Sequence, residues 1–426
     1  MKGNNTGRGL KALAVTLAVG LGMTACSRDY VVGYLYVTNA KATPGLITAY
    51  AIDYQSGSLT QLADSPIPSG GNDPVFLLAA PNDKYLYVLN NYTSSVVEYS
   101  IGTDGKIYPE NTYSVVQGNN LVGTFPTWAA MDPAGKFLFV TFTYQNGYTA
   151  ARPGPGGIAT FPINPDGSLG TPLTNTTIGT TAANPLPYVP VGDNPVGISV
   201  SQTSSSVGGV TTNFVYVVDQ ESPLTSSAHG VLLAYTENAA TGVLTAVPGT
   251  YPSTTYPSGV AAGTTPSGIA EDPGAHFIYV TDEATNQLYG YTVNTNGLPQ
   301  AMLSSPYSTG LYPLNVTVDP RGTFVYVANF SSSTVSAYVI NGATGALSGA
   351  ASGATVATGP TCVTIDPALG IYLFTSNNTD NSVSAEQLNP HTGALEQVQG
   401  TQFSSQGLPT CAVAVANGAH ATQIVE

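Results

Sequence analysis

Tyr34-Leu35-Tyr36-Val37-Thr38-Asn39 is the stretch that decides the fold, because the same pattern returns six more times. It recurs as Tyr85-Leu86-Tyr87-Val88-Leu89-Asn90, Phe137-Leu138-Phe139-Val140-Thr141-Phe142 and Phe214-Val215-Tyr216-Val217-Val218-Asp219. Phe277-Ile278-Tyr279-Val280-Thr281-Asp282, Phe324-Val325-Tyr326-Val327-Ala328-Asn329 and Leu373-Phe374-Thr375-Ser376-Asn377 follow. Each run is rich in aromatic and β-branched residues and too short for a helix, and most close on a polar turn residue. That describes a buried strand. Recurrence at this spacing marks a repeat architecture.

Working outward, each copy from the second onward is preceded by an apolar segment opening on proline: Pro74, Pro126, Pro195, Pro266, Pro313 and Pro360. Asp-Pro turns often join the two segments, as at Asp132-Pro133, Asp272-Pro273, Asp319-Pro320 and Asp366-Pro367. Aspartate bonds nearby backbone and proline presets the next φ, which favours a turn. An alternating strand comes after the Tyr-Val run, for example Val96-Val97-Glu98-Tyr99. A glycine-led outer segment completes the unit, as in Gly57-Ser58-Leu59-Thr60 and Gly345-Ala346-Leu347. Four strands per repeat, repeated radially, make propeller blades. The first repeat lacks its proline-led strand, and the last is followed by a surplus one, Pro409-Thr410-Cys411-Ala412-Val413-Ala414-Val415. Placing the surplus strand innermost in the first blade closes the ring and removes an open sheet edge. The expectation is an all-β, seven-bladed β-propeller of four-stranded blades, closed by a C-terminal strand over residues 34–416, with a tail at 417–426.

Composition agrees. Of 426 residues, 47 are Gly and 31 Pro, only 8% are charged and 42% are hydrophobic. This gives ample core and many turns. Residues 1–25 read as a targeting segment: Lys2, Arg8 and Lys11 precede an apolar run, Ala12 to Gly22, too short to span a bilayer. Met23-Thr24-Ala25-Cys26 resembles a bacterial lipoprotein box, which implies lipid attachment at Cys26 and a short tether at 26–33. The absence of Asp after Cys26 implies the outer membrane of the cell envelope. An ordinary secretory cleavage near Ala25 is the alternative. Without residues 1–25, seven basic residues face 24 acidic ones, so the net charge moves from −14 to −17. Such a chain repels nucleic-acid phosphates and anionic lipid, so no nucleic-acid partner is expected and membrane contact is expected through the lipid alone.

The Tyr-Val strands, Asp-Pro turns and glycine-led outer strands together resemble the seven-bladed propeller lactonases, also called Tyr-Val-Thr-Asn repeat proteins. The resemblance covers roughly residues 30–416. It implies lactone hydrolysis of the 6-phosphogluconolactonase kind, or a surface protein without chemistry. The family's enzymes carry a Pro-Arg-His stretch opening one blade and an Asn-Glu after its Tyr-Val strand. Thr281-Asp282-Glu283 supplies the second half here, while Pro266 is followed by Ser267 and Gly268 instead of Arg-His. Glu283 is therefore the candidate base. His229 and Arg152, on neighbouring loops, are the candidate helpers, against the bland reading of a solvated glutamate. Lys84, Lys136 and Arg321 fall on turns of the opposite face, which leaves Arg152 as the expected upper-face cation. A phosphosugar site normally needs two or more cations, so the expected substrate is a neutral or weakly charged lactone.

The residues two after each opening proline are expected at the channel mouth. Phe76, Trp128 and Asn315 are the ligand-binding candidates, since aromatic rings at a concave mouth suit a sugar or other flat ligand. The alternative is that Phe76 and Trp128 plug the channel. Long loops at 143–156, 173–194, 220–230 and 246–265 gather on the same face, and such loops are often functional. Cys362 and Cys411 hold matching Pro-Thr-Cys positions in blades that adjoin at the closure. They are either a disulfide or two buried thiols. The four histidines show no metal spacing, and no nucleotide or hydrolase-elbow motif is present. No metal and no cofactor are expected. Two functions remain open: a lactone hydrolase, or a non-catalytic surface protein that binds a glycan or an envelope partner protein.

Overall fold

The computed structural model describes residues 31–115, 123–179, 185–201, 205–207, 210–220, 230–248, 259–349, 353–418 and 423–426. The targeting segment and Cys26 lie outside the described residues. Seven antiparallel sheets follow one another, each ordered inner, second, third and outer strand. Blade 1 takes its inner strand from the C-terminus: Pro409–Ala416 pairs with Val31–Asn39, Tyr36 facing Val413. The ring is thus closed by the surplus strand. The first strand starts at Val31, three residues before the expected boundary.

Each part of the repeat has a visible job. The Tyr-Val strand lies fully buried between neighbours, as in the Tyr85–Asn90 strand of blade 2 and the Phe277–Asp282 strand of blade 5. Its first aromatic packs on the glycine that turns into the next blade's outer strand. Phe324 lies on Gly393 in this way, and a Cβ there would overlap the ring. Gly393 also sits at φ 72°, so the position favours glycine on two counts. The next aromatic but one donates its hydroxyl to the same glycine: Tyr36 to the Gly105 carbonyl at 2.7 Å, Tyr87 to Gly167 at 2.6 Å and Tyr279 to Gly345 at 2.8 Å. The core is therefore mainly inter-blade.

The Asp-Pro turns carry a buried acceptor. Asp132 takes the amides of Lys136 and Phe137, each at 2.6 Å, and Asp319 repeats this with Thr323 and Phe324 at 2.7 Å. Outside blade 3, an Asn or Asp closes the Tyr-Val strand, and in blade 2 it anchors the loop that enters the blade. Asn90 donates to the Ser69 carbonyl at 3.0 Å and accepts from its hydroxyl at 2.8 Å. At the seam, Cys362 and Cys411 form a disulfide with Cα atoms 4.9 Å apart. The chain end adds a strap on the face opposite these loops. Gln423 and Val425 donate to the Ala368 and Leu369 carbonyls, and Arg321 bonds the carbonyls of Val425 and Gly370.

Candidate functional site

The loops after the second strands and those between blades share one face, called upper here. On it, six blades use the residue past the second strand in one backbone bond. Ala40, Asn91, Gln220, Glu283, Phe330 and Asn378 each donate their amide to the residue just before the inner-strand proline, at 2.8 to 3.1 Å. Side chains at this register then diverge. Asn91 and Asn378 reach the next blade and bond the carbonyls of Pro126 and Pro409, at 2.9 and 3.1 Å. Gln220 and Glu283 instead bond each other, the Gln220 amide donating to the Glu283 carboxylate at 3.3 Å.

Around this pair the geometry extends over three blades. Asn194 donates to the Gln220 side-chain oxygen at 2.8 Å. Tyr312, which precedes Pro313 of blade 6, lies near enough to the Glu283 carboxylate to favour its charged form. Asp282 below is fully buried and committed to the backbone, accepting from Thr264 at 2.7 Å and Thr265 at 3.1 Å. Burial pushes the Glu283 carboxyl above its ordinary value. The Tyr312 hydrogen bond opposes this, the Asp282 carboxylate adds to it, and the Gln220 bond opposes it more weakly. The Tyr312 phenol is itself raised, by burial and then by the Glu283 charge, so it stays a donor. A half-buried carboxylate with a raised pKa and two neutral donors can take a proton from water and hold a polar substrate group.

The other expected residues lie elsewhere. Arg152 sits in a small hairpin closed by two backbone bonds with Thr149, its guanidinium 5.7 Å from the Tyr148 ring centre. It makes no ion pair or hydrogen bond with Glu283. His229 lies outside the described residues. The residues two after each proline touch one another across the ring. Phe76 and Trp128 are 4.0 Å apart between ring centres, and Asn315 is buried, accepting the Val363 amide of blade 7 at 3.0 Å. The Asn315 side-chain oxygen is therefore committed to the neighbouring blade, while Phe76 and the partly buried Trp128 pack against each other. Lys41, overlooked in the sequence, is a second upper-face cation; its amide bonds the Gly407 carbonyl and its side chain is exposed. Tyr312, Gln220 and Asn194 were also not singled out. Gln220 had a signal, its place after Asp219 matching Glu283 after Asp282. Among the described residues no cluster of three or more His, Cys, Asp or Glu could hold a metal, and no helix is long and apolar enough to cross a membrane.

The family model described as lactonase, 7-bladed beta-propeller matches residues 28–141 and 231–365, more than half of the chain. No curated protein matches. Among solved structures, a putative 6-phosphogluconolactonase from Bacteroides uniformis is 16% identical over 91% of this chain and all of its own, with a TM-score of 0.64. The periplasmic gluconolactonase of Pseudomonas aeruginosa is 18% identical over 90% of this chain and 99% of its own, also at 0.64. A Lactobacillus plantarum protein is 16% identical over 90% of this chain and 99% of its own, at 0.61. At these identities the likeness speaks for the fold.

Proposed function

Because the chain belongs to the seven-bladed β-propeller lactonase family, we propose that it hydrolyses a neutral or weakly charged lactone on the upper face, with Glu283 as general base. The observation that carries this reading is the half-buried Glu283 carboxylate, raised in pKa by burial and bonded by the neutral Gln220 amide on the upper face. In the proposed reaction, Glu283 takes a proton from water as its oxygen adds to the lactone carbonyl. The ring C–O bond then breaks, and that proton goes to the departing alkoxide. Gln220 and Tyr312 are neutral groups at the base that orient its carboxylate, and the second hydrogen of the Gln220 amide is left for the developing oxyanion. They take the place of the absent Arg-His pair.

The charge distribution supports an unphosphorylated substrate. Neither Arg152 nor Lys41 pairs with Glu283, and a phosphoryl group wants cations. An unphosphorylated sugar lactone, of the kind named for the Pseudomonas aeruginosa gluconolactonase, also suits an exported enzyme. Export with lipid attachment at Cys26 in the outer membrane is part of the proposal and rests on the Met23-Thr24-Ala25-Cys26 box. Cys26→Ser should then move the protein out of the membrane fraction.

The test is a lactone panel containing glucono-1,5-lactone and its 6-phosphate, assayed on wild type and Glu283→Gln. Turnover of the neutral lactone, lost in the variant, is expected. No turnover of any lactone would leave the non-catalytic surface protein as the reading.

A further inference from the structure

Blade 3 differs from its neighbours at the rim. Its inner strand spans Thr124–Met131 and starts two residues before Pro126, whereas the other six inner strands open on proline. The partner strand, Phe137–Tyr144, runs on to match, so that Tyr144 faces Thr124 beyond the Phe142–Pro126 pair. This extension sets three rings together between blades 2 and 3. Tyr92 meets Phe125 edge to face at 6.4 Å, and Phe125 meets Tyr144 in the same way at 5.8 Å. Tyr92 is 71% exposed, and none of the three rings belongs to a buried cluster.

The fold holds this arrangement against a cost. Phe125 sits at φ 60°, as the residues before the inner-strand proline also do in blades 1, 2 and 6, where Leu408, Asp73 and Tyr312 lie at 49°, 57° and 56°, and in blade 7, where Gly359 lies at 73°. A side-chain-bearing residue there costs roughly 1–2 kcal/mol. Its backbone is clamped on both sides: the Phe125 amide donates to the Ser94 hydroxyl at 3.1 Å, and the Thr143 hydroxyl donates to the Phe125 carbonyl at 3.2 Å.

The hydroxyls complete the picture. Those of Tyr36, Tyr87 and Tyr279 are tied to the next blade. Tyr92 and Tyr144 have no hydrogen-bond partner among the described residues. An exposed ring beside two partly exposed ones, with phenols that have no partner among the described residues, matches a sugar chain, whose C–H faces stack on aromatics and whose hydroxyls need polar partners. Among the described residues no cation contact to the three rings is seen, and the strongly acidic chain disfavours polyanions. We propose that Tyr92, Phe125 and Tyr144 form a binding shelf for a neutral oligosaccharide. This shelf is distinct from the Glu283 pair and does not rest on the hydrolase reading.

The full-length protein should be titrated calorimetrically with cellohexaose, chitohexaose and maltohexaose. At least one is expected to saturate with a millimolar or tighter Kd. Tyr92→Ala should weaken that binding tenfold or more. Phe125→Gly should weaken it similarly while keeping or raising the Tm, since glycine takes φ 60° without strain. Glu283→Gln should bind as wild type does, whatever its turnover. The proposal is overturned if none of the three saturates, or if Tyr92→Ala binds undiminished. It is also overturned if neutral phosphatidylcholine vesicles bind in a Tyr92-dependent way while the sugars do not, which would make the rings a bilayer contact.

Discussion

Asn91 and Asn378 on one side of the ring, and Gln220 and Glu283 on the other, stand one residue past the second strand and make the same backbone bond. The asparagines spend their side chains on holding the next blade. Gln220 and Glu283 spend theirs on each other. The fold dictates where the backbone runs at this register and leaves the side chain optional, because the glycine–aromatic locks and Tyr hydroxyl bonds already join the blades.

The largest effect would come from opening the ring, on which all matching of registers depends. Ending the chain at Leu408 removes the Pro409–Ala416 strand, the Cys362–Cys411 link and the Thr410 hydroxyl bond to the Pro74 carbonyl at 2.6 Å. It also exposes the Val31–Asn39 edge. Aggregation or loss of cooperative melting is expected by size-exclusion chromatography and calorimetry. A truncated monomer with the wild-type Tm would show that blade 1 does not need its C-terminal strand.

Within the intact ring, the two sides should respond in opposite ways. Glu283→Gln should lower kcat on the neutral lactone at least about a hundredfold, near 2.7 kcal/mol of barrier, with the Tm moved by no more than about 2 °C. Asn378→Ala should leave kcat unchanged and cost about 1–2 kcal/mol of stability in chemical denaturation, the usual loss when a buried carbonyl forfeits its donor. If Asn378→Ala impaired turnover as much as Glu283→Gln did, the contrast between structural and functional side chains would collapse.

The sequence made the blades legible because strand alternation, Asp-Pro turns and glycine-led turns are local signals, and counting them exposed the missing and surplus strands. It understated three Tyr-Val strand starts. The first begins at Val31, the fourth at Val210 and the last at Tyr372, because strand ends depend on what pairs beside them. Glu283 was singled out through the resemblance, by its place after the Phe277–Asp282 strand. Tyr312 was not, since its contact depends on a backbone at φ 56° that turns the ring toward blade 5. Arg152 was placed beside Glu283 because both sit in upper-face loops. The hairpin that turns its guanidinium onto Tyr148 is set by contacts within the loop. Asn315 looked available as an amide at the channel, yet the neighbouring blade's Val363 amide claims it.

The smallest expected effect is the most diagnostic of which group titrates. A general base must be ionised, so turnover should fall as pH drops through the Glu283 pKa. Burial is the leading cause that raises this pKa, which places the acid limb of kcat/KM above the ordinary carboxylate range. The Tyr312 and Gln220 hydrogen bonds favour the anion and hold the pKa down. Tyr312→Phe keeps the ring and removes the donor, so the anion loses support and the limb should move to higher pH. Gln220→Leu should move it in the same direction and by less, since its bond is the weaker of the two opposing causes. Both shifts concern the proton on Glu283 and should appear in the pH profile even where the pH-independent rate changes little. A limb that stays in place in both variants, or moves to lower pH, would assign it to a group other than Glu283 and remove the base from the proposed reaction.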